Sequence, residues 1–261
     1  MTGFLLKKTF FDLCDNALRL ALLNAGLLVS AAFFMIVRRL LALFFPLSAA
    51  VSGGVFFLGA IWCFVYLSAV SLCVKNISDY GTFGFNDFLR ALRSAWTGGA
   101  AYGVYFCAAA AAVIFTIPFY LLLGNTAGLF AASAVFWTVV ASGIILQYFF
   151  AVRARLGAKN IKAVKKCVLL FIDNPLFFIG TMLLSVLFFA ASVVSAFLIP
   201  GPAGILLFAD EALRLRLLKY DWLEQNGGES ARCVPWDTIL AGEREKTGSR
   251  TMRGIFFPWK D

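Results

Sequence analysis

Fifty-nine consecutive residues, 94–152, contain no Asp, Glu, Lys or Arg, and three further charge-free windows cover residues 20–37, 40–74 and 174–209. A helix that crosses a bilayer needs about 20 apolar residues, so these four windows hold at least five crossings. With 61% hydrophobic and 14% charged residues, against roughly 45–50% apolar and 25% charged in soluble chains, the protein is read as an integral membrane protein. In lipid each span must satisfy its own backbone hydrogen bonds, and the apolar runs are far too long for barrel strands. The expected structure is therefore all-helical.

The longest window has to fold back on itself, and "GNTAG" at 124–128 is its one stretch of turn chemistry. In the last window "IPGPAG" at 199–204 stops one helix and starts another. Spans are expected near residues 17–37, 52–74, 98–123, 128–150, 175–199 and 203–222. Residues 40–51, with Pro46, read either as a re-entrant lead-in or as the front half of a kinked span. Assigned to this scheme, the N-terminus, second loop, fourth loop and C-terminal tail carry 3, 3, 6 and 9 Lys or Arg, and the other loops carry 2, 0 and 0. Positive-inside bias places both termini in the cytoplasm, as expected of a multi-pass protein of a bacterial inner membrane. Arg38 and Arg39, the two exceptions, are read as snorkelling to the outer headgroups.

Three cytoplasmic segments have helical periodicity. In residues 159–174, Ile161, Val164, Val168 and Phe171 or Ile172 recur on one side while Lys159, Lys162, Lys165 and Lys166 take the other, the pattern of an interfacial helix in contact with anionic lipid or a partner. Asn174 and Pro175 follow as N-cap and first helical residue of the next span. Leu6, Phe10, Leu13 and Ala17 make a similar stripe near the N-terminus, with Lys7, Lys8 and Asp12 off it and Asn16 in the capping place. Phe85, Phe88, Leu89, Leu92 and Trp96 make a third. The expected fold is thus an all-α polytopic membrane helix bundle of about six spans in three helical hairpins, 4–74, 85–150 and 159–225, each preceded by a cytoplasmic amphipathic helix. Residues 1–226 form the bundle, and 227–261 a cytoplasmic tail.

The chain offers little chemistry. It has no histidine, and its six cysteines form no CxxC pair, so no metal site, disulfide framework or cofactor is expected. Nucleophile elbows, zinc-protease helices and phosphate loops are absent, and no catalytic residue is assigned. The net charge of +9 is explained by anionic lipid, without nucleic acid. The polar residues expected at depth are Asn24, Gln147 and the group Asp210, Glu211, Arg214 and Arg216. As a functional site, Asp210, Glu211, Arg214 and Asn24 would form a polar constriction. The simpler reading is that the last helix is leaving the membrane by then, with Asp210 and Arg214 paired four residues apart. In the tail, "AGEREKTGSR" reads as solvated, and Phe256, Phe257 and Trp259 form an aromatic cluster suited to a partner or the membrane interface.

The stretches "FFDLCDNALRLALLNAGLL", "GFNDFLRALRSAW", "DNPLF" and "ALRLRLLKYDWLE" resemble the YesL-like family of uncharacterised bacterial multi-pass membrane proteins, over most of residues 10–225. The resemblance implies an accessory role beside carbohydrate transporters and supplies no catalytic residues. Two functions follow as expectations: a non-enzymatic accessory or scaffold that holds a transporter subunit, and a small-solute transporter in its own right. Oligomeric state is not readable from the sequence.

Overall fold

A computed structural model of the chain describes residues 2–44, 49–225 and 235–247. Among the described residues all regular structure is helical. In chain order the helices are α1 Thr2–Asp15, α2 Ala17–Phe44, α3 Ala49–Ser78, α4 Phe85–Ala111, α5 Ile117–Leu122, α6 Thr126–Leu146, α7 Phe149–Leu156, α8 Asn160–Asp173, α9 Pro175–Val194, α10 Gly201–Gln225, α11 Trp236–Ile239 and α12 Ala241–Thr247. Among the described residues five helical stretches are long and apolar enough to cross a membrane: Ala17–Leu43, Val51–Ser78, Phe85–Leu122, Thr126–Leu156 and Pro175–Val194.

Local chemistry explains most of the boundaries. The α5–α6 turn falls in "GNTAG": Gly124 takes a left-handed φ of 63°, and the Asn125 side chain caps α6 by accepting from the Gly128 amide at 2.7 Å. Between α4 and α5, residues Ala112–Thr116 form a π-helical turn. Pro118 follows it; a proline has no N–H to donate and crowds the carbonyl four residues back, and one wider turn relieves both defects without ending the helix. The amphipathic segment at residues 85–96 is therefore the first part of a helix that continues into the span. The open question at residues 40–51 resolves in part: α2 extends to Phe44 and α3 starts at Ala49, while 45–48, including Pro46, lie outside the described residues.

The expected N-cap at Asn16 is corrected, while that at Asn174 holds in position without its side-chain bond. The Asn16 amide donates to Asp12 O and Leu20 N donates to Asn16 O, so α1 runs into α2 almost without a break and there is no helix start to cap. Asn174 does sit at the N-cap of α9 with Pro175 next, but makes no side-chain cap bond. Its amide donates instead to Tyr220 Oη at 2.8 Å, tying α9 to α10.

Helices α2 and α3 form a long antiparallel hairpin. Arg38 Nε donates to Ser52 Oγ near its tip and Tyr66 Oη to Leu23 O lower down, and at the far end Lys8 Nζ of α1 donates to Ser78 O of α3. Contact between α3 and α4 depends on Gly99, where a Cβ would come within 2.3 Å of the Val65 Cα. Tyr105 Oη donates to Ser142 Oγ and joins α4 to α6.

The core is at one end of this layer, the end that holds Lys8 and Ser78. One buried cluster contains Leu13, Leu20, Leu23, Val70, Val74, Ala203 and Leu207. The other contains Leu5, Tyr148 to Val152, Cys167, Phe178, Phe208 and Leu213. Toward the opposite end, Phe33, Ile36, Leu58, Phe115, Phe119, Phe130 and Trp137 are exposed. The protein is thus a packed base carrying two loosely packed apolar hairpins.

Helix α10 runs through the base. Its first turn meets Asn24 and a Cβ on Gly204 would meet Leu13, so the α9–α10 turn is level with the lower part of α2. Arg38 stands fourteen residues further along α2, about 21 Å at 1.5 Å per residue. In α10, Ala203, Leu207, Phe208, Asp210, Glu211, Ala212 and Leu213 are all buried in protein, so the charges in its middle are enclosed by neighbouring helices.

Candidate functional site: a buried ion-pair network in the base

The charges that sequence reasoning singled out in α10 converge with residues from four other segments. Asp210 and Glu211 are 2% and 1% exposed, and a buried carboxylate persists only with partners, since desolvation costs several kcal/mol per ion. Glu211 is met from α1: Lys8 Nζ donates to its Oε1 at 3.3 Å, and the Thr9 hydroxyl donates to its Oε2. Lys8 also donates to Asp12, one turn along α1. Asp210 accepts from Arg155 Nη2 of α7, and Arg155 reaches Asp79 Oδ1 at 3.1 Å and Ser78 Oγ at 2.8 Å.

Arg214 extends the network to the C-terminal segment. It donates to the Ser78 carbonyl, to Asp79 Oδ1 at 3.1 Å and to Glu243 Oε1 of α12 at 2.7 Å. Tyr80, held at φ 61° just beyond α3, is the hub. Its ring lies 4.4 Å from Lys8 Nζ and 5.4 Å from the Arg214 guanidinium, and its hydroxyl donates to Glu243 Oε2 at 3.0 Å. A cation near an aromatic face is attracted by the ring quadrupole, and Tyr80 offers that attraction to both Lys8 and Arg214 at the edge of the network. Burial would push the Lys8 ammonium down, but the carboxylates of Glu211 and Asp12 outweigh it and hold its pKa above the ordinary value. The ordering of α1, the α3–α4 turn, α7, α10 and α12 around these charges puts both described ends of the chain at the same end of the bundle.

Asn24 belongs to a separate structural device. Its amide nitrogen donates to Leu198 O and Pro200 O at 2.9 and 3.0 Å, and its oxygen accepts from the Ala203 amide at 2.8 Å. It therefore caps α10 from a different helix. Gly201 has φ 59°, and a Cβ there would come within 2.2 Å of Asn24 Nδ2. Only glycine satisfies both the left-handed turn and the close approach. Gln147 likewise donates to the Phe178 carbonyl at 2.9 Å, linking α6 to α9.

Comparison with known proteins adds no relative. No protein-family model, curated protein or solved structure matches the chain.

The sequence-derived pairs are thus partly rearranged. Asp210 pairs with Arg155 and Arg214 with Asp79 and Glu243, in place of the expected Asp210–Arg214 pair within one helix. The N-terminal stripe is rotated: α1 buries Leu5, Lys8, Thr9, Phe11 and Leu13, so Lys8 faces protein. Sequence reasoning missed Lys8, Thr9, Asp79, Tyr80, Arg155 and Glu243. The adjacent acid pair in α10 was visible in the sequence, but Lys8 read as part of the polar face of α1, and their pairing is long-range and left no local periodicity. Residues 241–247, read as solvated, form α12, with Leu240 and Glu243 buried against the base. Phe256, Phe257 and Trp259 lie outside the described residues. Lys159, Lys162, Lys165 and Lys166 are on α8 and just before it, apart from the network, and the first three line a cleft with Arg153.

The network's chemistry is that of a clamp. The Thr9 hydroxyl and Glu211 have the geometry of a nucleophile and a base, but both are enclosed, at 0% and 1% exposure, and a reacting group needs a place for substrate. Among the described residues no group of three or more His, Cys, Asp or Glu side chains is placed to hold a metal ion. Burial pushes the Cys167 thiol up to about 12, which leaves it protonated and inert as a nucleophile near neutral pH.

Proposed function

We propose that the protein is an accessory or scaffold component of solute transport in a bacterial inner membrane, without catalytic activity, whose packed base presents a rigid cytoplasmic surface to a transporter subunit. The observation that carries this reading is the fate of the polar residues available for a solute path. Asn24 caps α10, and Asp210, Glu211 and Arg214 are engaged in ion pairs, so those side chains hold helices together. The resemblance to the YesL-like family, with its implied link to carbohydrate transporters, points the same way.

The topology we infer has three hairpins entering from the cytoplasmic side, six helices in all, with both termini in the cytoplasm. Support comes from α1 and α12 meeting at the base and from the concentration of Lys and Arg in the segments assigned to that side. The third hairpin, α9–α10, is the shallowest, because its turn meets Asn24. The test of function is reconstitution. Purified protein in proteoliposomes should show no solute flux that responds to Asp210→Asn, and deletion of residues 250–261 should abolish recovery of a transporter subunit from mild detergent while leaving the bundle folded. Flux that depends on Asp210 and ignores the tail would replace this reading with that of a transporter.

A further inference from the structure

Beside the network, and independent of it, is a second basic site. Thr97, Arg153, Lys159, Asn160, Ile161, Lys162 and Lys165 line an open cleft of about 750 Å³ between α4, α7 and the start of α8, and none of these residues is acidic. Arg153 is at its floor. The guanidinium occupies the space left by the missing side chain of Gly98, where a Cβ would come within 0.8 Å of Arg153 Nη1. That nitrogen is buried and has no hydrogen-bond partner among the described residues, and Nε makes one long bond, 3.4 Å, to the Ala158 carbonyl. No carboxylate pairs with Arg153 among the described residues. A partly buried cation without a counter-ion is costly to hold, and three lysines beside it raise that cost by repulsion. The first turn of α8 adds amides that no side chain caps, and these favour negative charge.

We propose that this cleft is a discrete binding site for the phosphate of an anionic phospholipid in the cytoplasmic leaflet. The source of the phosphate is argued from the rim. Ile161 is 74% exposed and Ile172 67%, Val168 and Leu169 are exposed along the same helix, and Trp96 is exposed just before Thr97. An apolar face next to a cationic cleft matches a headgroup with its acyl chains, whereas a soluble anion has no use for it. The inference rests on the cytoplasmic placement of α8 given above, and it goes further in assigning one stoichiometric lipid to named residues in place of diffuse attraction.

Native mass spectrometry of the full chain in detergent, with phosphatidylglycerol or phosphatidylcholine added, tests it. The wild type is expected to retain one phosphatidylglycerol and no phosphatidylcholine. Arg153→Gln is expected to lower the bound fraction about tenfold, the loss of one charge-assisted hydrogen bond. Lys162→Gln with Lys165→Gln, on exposed positions that cannot unfold the base, should do the same. Lys166→Gln, adjacent in sequence but outside the cleft, should retain the lipid. Equal losses from Lys165→Gln and Lys166→Gln would overturn the proposal in favour of diffuse charge. Displacement of the lipid by millimolar inorganic phosphate, with phosphate then bound in its place, would overturn the lipid assignment. A reporter fused after Gly157 separates the two readings: an outside signal with lipid still retained in detergent would refute the topology and leave the phosphate site standing on the other leaflet.

Discussion

Lys8 and Glu211 show how much one buried pair decides. Removing one partner leaves the other charge enclosed, which costs about 3–5 kcal/mol, while replacing both with apolar groups is often neutral. Lys8→Met and Glu211→Leu should each lower the melting temperature in detergent sharply, and the double variant should recover most of the loss. Additive losses in that cycle would mean that the two side chains are not coupled. The pair also sets an alkaline limit. The folded-state pKa of Lys8 lies above its ordinary value of 10.5, so its contribution is complete below about pH 10.5 and is lost as pH rises through the folded value. The difference in melting temperature between wild type and Lys8→Met should shrink as pH is raised above about 10.5, where Lys8 loses its proton. Asn24→Ala removes three hydrogen bonds across two helices and should cost about 3 kcal/mol at the usual net value per bond. A variant as stable as wild type would show that the α9–α10 turn holds without its cap.

Helix existence was readable from sequence wherever charge-free length spoke for itself, and the five long apolar helices fall where the windows put them. Turn chemistry was equally plain at Asn125 and Gly201. Depth was not. "IPGPAG" specifies a helix stop and a helix start but says nothing about the level at which they occur, and that level is fixed by Asn24, more than 170 residues away in the chain. The same limit hid the base: Lys8, Arg155 and Glu243 belong to segments whose local patterns read as surface, and tertiary pairing overrides such patterns. Cysteine accessibility in a variant lacking the native cysteines measures the depth directly. Asn125→Cys should react with a membrane-impermeant maleimide from outside, and a cysteine at Ile199 should not. Labelling of both at similar rates would place the α9–α10 turn at the outer surface and exclude a shallow hairpin.

Across the whole molecule, burial is concentrated at one end. The hairpin halves remote from the base bury few side chains, so global stability should be set by the base, and hydrogen exchange should show the α10 amides as the slowest and those of α5 among the faster of the helical ones. Uniform protection across α5 and α10 would contradict this division. The docked C-terminal segment belongs to the same unit: Glu243→Gln removes a carboxylate from Arg214 and Tyr80 and should speed exchange in residues 235–247 while leaving the spans unchanged. The position of α10 also bears on biosynthesis. The helix that fills the centre of the base is made after both long hairpins, and Lys8 has to wait for a carboxylate 203 residues behind it. Two hairpins can be inserted while the ribosome is still at work, but the site that joins them stays open until α10 emerges. A chain cut short before α10 therefore keeps Asp12 beside Lys8 but lacks Glu211, and the apolar surface of the base stays unfinished, two features by which an incomplete copy differs from a finished one.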